Sequence, residues 1–319
     1  MMRRVLVAVF ASAIFPILYT AFGFLSGHPP VEVKGSTTRV VGTFVQSNEF
    51  GAYLMLLVIV GVAVFPHVHG RVRISLAGLL AACVVCLVLT YTIAALLGVF
   101  VGLVVVGMKQ SKRVLLALAA ALVLTLGLAP ALSARLGAII NASTYTQGPT
   151  HAGNSLAWRL DYWAQIVHLA DRNPATGIGY GMTSAVTQQG AAAHNDYLRA
   201  YVETGLVGLA VYLVVIVVLI RLGLRAVRAA RPGTFDYSIA VGYLGCALAL
   251  ALASVSSNVI TGVAKLWYFV AFAAAASSVL RRSRTPSPQD EDGATVTHAP
   301  SENLSSHSRN ETGVAAEAR

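Results

Sequence analysis

The stretch AHNDYLRAYVE, residues 193–203, sets a histidine, an asparagine, an aspartate, an arginine and a glutamate directly before a long apolar run. An imidazole exchanges protons near neutral pH, so His194 suits proton transfer. Asn195 or Asp196 can cap a helix running on through Tyr197, Leu198, Tyr201 and Val202, and Arg199 and Glu203 then face each other at i, i+4. The positive end of such a helix favours an anion such as a phosphate. The same residues also fit a plainer role, a surface histidine beside a structural cap. Glu203 weighs toward chemistry. A carboxylate about two turns inside a membrane-entering helix is costly unless it lines a cavity or finds a partner.

Other motifs read as structure. GIGYG at 177–181 follows Asn173-Pro174 and lacks the Gly-Lys-Ser/Thr of a phosphate loop, so it reads as a tight turn built on glycine. CVVC at 83–86 lies inside an apolar helix, and Cys246 likewise, which makes all three packing residues and not a redox pair. HVH at 67–69 has no carboxylate or thiol nearby in sequence, so no metal site is assigned.

The elements that must position these groups follow from composition. Of 319 residues, 56% are hydrophobic and only 11% charged, which describes a polytopic membrane protein. Unbroken apolar runs without period-two alternation select helices over a barrel, so the fold class is all-α, a membrane helix bundle. Eight runs approach the length of a bilayer crossing, about 17–25 residues. They fall near 5–25, 50–66, 74–90, 92–108, 114–130, 200–220, 237–257 and 262–280. Cytoplasmic loops collect Lys and Arg. With both termini cytoplasmic, the inside segments take Arg3, Arg4, Arg71, Arg73, Lys109, Lys112, Arg113, Arg221, Arg225, Arg228, Arg231, Arg281, Arg282 and Arg284. The net charge of +10 therefore reads as topology and contact with membrane lipids, not nucleic-acid binding.

Two segments fall outside: about 26–49, and a long loop at 131–199. The first run is expected to be an uncleaved helix and not a signal peptide. Residues 285–319 are rich in Ser, Thr, Pro, Glu, Asn and Ala, and are expected to form a disordered cytoplasmic tail after a transmembrane domain of 1–284. Within the long loop, SLAWRLDYWAQIVHLA (155–170) reads as an amphipathic helix with Leu156, Leu160, Trp163 and Val167 on its apolar face and Ser155 as a cap. Its Trp and Tyr residues suit the headgroup layer of the outer leaflet.

These residues carry a resemblance. HNDYLRAYVETGLVGLAVYLVV resembles the segment of the O-antigen ligase and polymerase family in which a His-Asn pair opens a helix continuing through Glu-x-Gly-x-x-Gly. RVVGTFVQSNEFGAYL (39–54), SLAWRLDYW (155–163) and NPATGIGYG (173–181) agree in order and spacing, so the resemblance covers about residues 36–280. It implies a metal-independent glycosyltransferase of the bacterial inner membrane, without cofactor. Such an enzyme moves glycan from a polyprenyl-diphosphate carrier to a glycan or lipid-linked acceptor at the outer face. It further implies His194 as the base that activates the acceptor hydroxyl and Arg159 as a diphosphate ligand. Arg39, Arg135 and Arg199 are further basic candidates at the same face, with Asn195 and Glu203 beside them. Guanidinium groups that grip oxyanions bidentately can replace a metal clamp there.

The chain departs from the family pattern twice. It has fewer spans, and Thr90-Tyr91-Thr92-Ile93 stands where many relatives carry Thr-x-Ser-Arg, with isoleucine in place of the arginine. The competing class is a transporter or a non-catalytic component of polysaccharide export, which would place polar groups at mid-membrane. Lys265 is the only other charge well inside a span, and it is expected to snorkel to the outer surface.

Overall fold

Apolar runs of this length satisfy their backbone within themselves, and they become helices. The computed structural model describes residues 2–34, 37–117, 155–171, 173–187 and 190–284. Its helices are α1 (Met2–Ser12), α2 (Ile14–Leu25), α3 (Ser47–Val64), α4 (Gly70–Leu89), α5 (Ile93–Lys109), α6 (Ser155–Ala170), α7 (Thr183–Val186), α8 (Asp196–Ala229), α9 (Phe235–Ala253) and α10 (Val263–Arg284). Between α2 and α3, β1 (Val31–Lys34) and β2 (Thr37–Val40) form an antiparallel hairpin.

The protein is an all-α polytopic membrane protein. Among the described residues, six helical stretches are long and apolar enough to cross a membrane: Met2–Leu25, Ser47–His67, Gly70–Leu89, Asp196–Ala229, Phe235–Ala253 and Val263–Ser283. The apolar α5 is shorter. Seven of the eight expected runs are thereby accounted for. Residues 112–117 are helical, and the rest of the fifth run, Arg135, most of the long loop and the tail from 285 lie outside the described residues.

Burial sorts the helices by position. Over their most apolar 18 residues, the Ser47–His67 stretch is 78% buried and α9 72%, whereas α8 is only 6% buried there, so the first two are central and the apolar part of α8 faces the lipid. Apolar residues run right round α3, as a helix enclosed on all sides requires. Both α3 and α5 pack on α9. A methyl at Gly245 of α9 would stand 3.3 Å from Gly102 Cα of α5, so the two backbones meet through glycine. Aromatic contacts seat α10 on this trio, Tyr268 against Tyr53 and Phe269 against Tyr243. The first span is broken at Ala13 because Pro16 has no N–H for the carbonyl of Ser12.

The two ends of the bundle differ in chemistry. At one, Arg3 lies over Phe235, Arg282 pairs with Asp236 at 3.0 Å and Tyr237 donates to the Lys109 carbonyl. The other gathers the hairpin, the Thr90–Thr92 turn, α6, the glycine-rich loop, the start of α8 and the turn after α9. There Thr92 Oγ1 donates to the Ser47 carbonyl, and Tyr197 Oη to the Ala251 carbonyl.

Candidate functional site

His194 is suspended between two anchored segments. On its N-terminal side, Tyr162 Oη donates to the Ala191 carbonyl, and Trp163 Nε1 donates to the Ala193 carbonyl at 2.6 Å. On its C-terminal side, Asn195 caps α8 by accepting from Leu198 N at 3.0 Å. His194 itself takes φ = 50°, a left-handed conformation that a non-glycine residue keeps only when its surroundings impose it. The imidazole edge meets Trp158, ring centroids 6.2 Å apart, and Nδ1 lies 3.3 Å from Asn258 Nδ2.

Asp196, which could have been the cap, does something else. It is fully buried, and its Oδ2 accepts from the backbone N–H groups of Val259 and Ile260 at 2.7 and 3.2 Å. That clamps the 258–260 turn beside His194. From the other side Lys265 Nζ donates to the Asn258 carbonyl at 3.0 Å and pairs with Glu49 of α3. Lys265 is therefore not snorkelling: only 2% of it is exposed, and its charge is met by a carboxylate 216 residues away. A cleft lined by His194, Asn258, Lys265, Glu49, Asn48 and Gln46 results.

The expected pair of Arg199 and Glu203 forms, with Nε to Oε2 at 3.0 Å, and the same Oε2 accepts from Gly181 N at 2.9 Å. Glu203 has thus found the partners its burial demanded. Arg199 also lies over the Tyr180 ring, 5.7 Å from its centroid. The reason for the glycines appears here. The α8 helix breaks at Gly205 (φ 68°, ψ −166°), and the 173–181 loop closes the break. Ile178 N and Gly179 N donate to the carbonyls of Val202 and Glu203, while the Pro174 carbonyl accepts from Leu206 N. GIGYG is the tight turn its composition suggests, with φ of 69°, 108° and 75° at its three glycines.

Two of the three remaining arginines, Arg39 and Arg159, lie among the described residues and sense each other's charge across distant sequence. Arg39 stands on β2 opposite Glu32 of β1, and only 8% of it is exposed. Arg159 is on α6, one residue after the Trp158 that touches His194. The Nε atoms of both are buried without a hydrogen-bond partner. Burial, and then the nearby charge of Arg39, push the Arg159 guanidinium below its ordinary range. Burial likewise lowers Arg39, and the Glu32 carboxylate works against that shift. Arginine stays protonated regardless, so two partly dehydrated cations feel each other's charge, Arg39 with the Glu32 carboxylate beside it. An anion between them would relieve the strain.

One expectation for α6 is corrected. The row that packs inward is Tyr162, Ile166 and Ala170, all fully buried, with Trp158 above them, while Leu160 is 51% exposed. Trp163 packs partly against this row, and with Val167 it also edges a shallow outer groove beside Asn195 and Leu198. Both rows have helical spacing; the docked row carries Trp158 and Tyr162, whose rings stack at 5.3 Å, and Tyr162 Oη reaches the Ala191 carbonyl.

Residues 76–213 match the sequence model of the O-antigen ligase family. That O-antigen ligase region runs from within α4 to the middle of α8. It therefore contains Arg159, the glycine-rich loop, His194, Asn195, Arg199 and Glu203, and the resemblance read from the sequence is borne out there. No curated protein matches the chain. Arg39, Glu49, Asn258 and Lys265 lie outside the O-antigen ligase region and reach its site only through folding. Sequence reasoning missed Asn258 and the Glu49–Lys265 pair. The available signal was a lysine placed just after the polar Ser256-Ser257-Asn258 turn.

Proposed function

We propose that this protein is a membrane glycosyltransferase of the O-antigen or exopolysaccharide ligase/polymerase class. It moves glycan from a polyprenyl-diphosphate carrier to an acceptor hydroxyl at the outer face of the bacterial inner membrane. The observation that carries this reading is the pair of guanidiniums, Arg39 and Arg159, with buried Nε atoms unmet by protein. Guanidiniums taken partly out of water and sensing each other's charge are costly unless anions meet them, and Glu32 stands opposite only Arg39. A diphosphate fits them, since each guanidinium offers a planar fork to two oxygens.

The chemistry then follows from the neighbours. His194 takes the proton of the acceptor hydroxyl as its oxygen bonds to the anomeric carbon of the donor sugar. The bond from that carbon to the diphosphate oxygen breaks, and the polyprenyl diphosphate leaves with the electron pair. Charge develops on the leaving oxygens, where Arg39 and Arg159 stabilise it without a metal. Asn195, Arg199 and Glu203 hold the α8 entrance that presents His194, and Arg135 remains a further candidate ligand.

Transfer of labelled glycan by purified protein, with a chelator present, tests the assignment. Replacing His194, Arg159 or Arg39 by alanine should each cut transfer by about 100-fold or more, the usual scale for a lost base or charge-stabilising donor. Protein yield should hardly change. Full activity in His194→Ala removes the base, and donor binding without transfer by the unmodified protein favours a non-enzymatic role in export.

A further inference from the structure

A general base needs the right nitrogen unprotonated, and the group at the other nitrogen decides which one that is. At His194 the Asn258 amide is within reach of Nδ1, with Nδ2 at 3.3 Å. The other end of the same planar amide, Oδ1, is buried and has no hydrogen-bond partner. In this orientation the NH2 would donate to Nδ1 and leave the imidazole proton on Nε2, while an acceptor oxygen stays buried and unsatisfied. A buried acceptor left without a donor is destabilising. A half-turn of the amide exchanges the two atoms. Oδ1 then accepts from Nδ1–H and is satisfied. Asn258 lines the same cleft as Gln46, Asn48 and Glu49, whose side chains carry acceptor oxygens for the displaced NH2.

The backbone around Asn258 is built to hold this amide still. Its carbonyl is gripped by Lys265, itself tied to Glu49, and the next two N–H groups are gripped by the buried carboxylate of Asp196. Asp196 is two residues from His194, so one side chain sets both the turn that carries the amide and the helix start that carries the imidazole. We propose that Asn258 is the positioning residue of His194, its amide oxygen accepting from Nδ1–H so that the lone pair sits on Nε2. This rests on the reading of His194 as the base. Without the acceptor oxygen the neutral ring shifts its proton to Nε2 and can only donate there.

The test reads the tautomer directly. The full-length protein in lipid nanodiscs carries 15N-labelled histidine, and His194 is assigned from its missing signal in His194→Gln. At a pH where the ring is neutral, the expected state has the proton on Nδ1. Asn258→Leu should move it to Nε2 and lower kcat for glycan transfer by about 10- to 100-fold, a share of what a placed base contributes. KM for the donor should stay near its original value. Asn258→Asp keeps the side-chain shape and can only accept, and Lys265 stands close enough to offset its charge. It should therefore leave the proton on Nδ1 and restore most of the rate, even if the leucine variant fails to fold. An Nε2–H ring in the unmodified protein, or a tautomer that changes in Asn258→Asp, overturns the proposal. Transfer surviving in His194→Ala would overturn only the base assignment, leaving the tautomer result standing.

Discussion

Arg39 and Arg159 are the side chains whose surroundings ask most plainly for a ligand, and their chemistry makes substitution informative. A lysine is a single point charge and cannot reproduce the two-pronged grip of a guanidinium on a diphosphate. Arg159→Lys should therefore keep the fold but leave transfer close to that of the alanine variant, with the loss appearing as weaker donor binding. The missing family arginine bears on the same question. Ile93 is the first residue of α5, directly before Ala94 and Ala95, which line the cleft beside His194. With Arg39, Arg159 and the paired Lys265 already on this end of the bundle, a further cation there adds repulsion. Ile93→Arg should leave transfer unchanged or lower it. A gain in donor affinity would show instead that neither Arg39 nor Arg135 makes up for the arginine that the resemblance expects at 93.

Among the elements, the broken helix α8 and the loop that closes it form one device. Gly205 takes a backbone conformation reserved for glycine, and a methyl there would stand 2.2 Å from the carbonyl of Ala175. Gly205→Ala should detach the 173–181 loop, expose the Arg199–Glu203 pair and markedly lower the thermal unfolding temperature in detergent. Gly181 offers the control. It also has positive φ, at 75°, but a methyl there meets nothing within 4 Å. Gly181→Ala should cost only backbone strain, about 1–2 kcal/mol, and melt only a few degrees below the unmodified protein. Equal melting of the two variants would refute the role given to the close approach at Gly205.

At the scale of the whole molecule, the polar groups and the surplus of arginine and lysine occupy opposite ends of the bundle. The rule that cytoplasmic loops are basic then predicts that the His194 end lies outside and the Arg3 and Arg282 end inside. Single cysteines test this against a quiet background, because Cys83, Cys86 and Cys246 are all buried. Tyr180→Cys, at a position 77% exposed, should react with a membrane-impermeant maleimide on intact cells. Arg231→Cys should react only after permeabilisation. The reverse pattern would invert the molecule and move the site to the cytoplasmic side.

Much of this was legible from the order of residues alone, and the reason is that those features are short-range. Lipid leaves an apolar run no choice but helix, the asparagine after His194 caps the helix that follows it, and Arg199 meets Glu203 because four residues make about one turn. Glycines at 177, 179 and 181 marked a turn for the same local reason. What lay beyond reach was every contact between segments separated by a span. No local pattern distinguishes a lysine that snorkels from one buried against Glu49, 216 residues earlier. Neither does spacing tell which apolar row of α6 docks, that the charge of Arg39 on a hairpin reaches Arg159, or that the 173–181 loop is the other half of the break at Gly205. Helix packing decides those pairings, since it alone sets which side chains share a volume without water. There an unmet charge or carbonyl is costly enough to demand one particular partner.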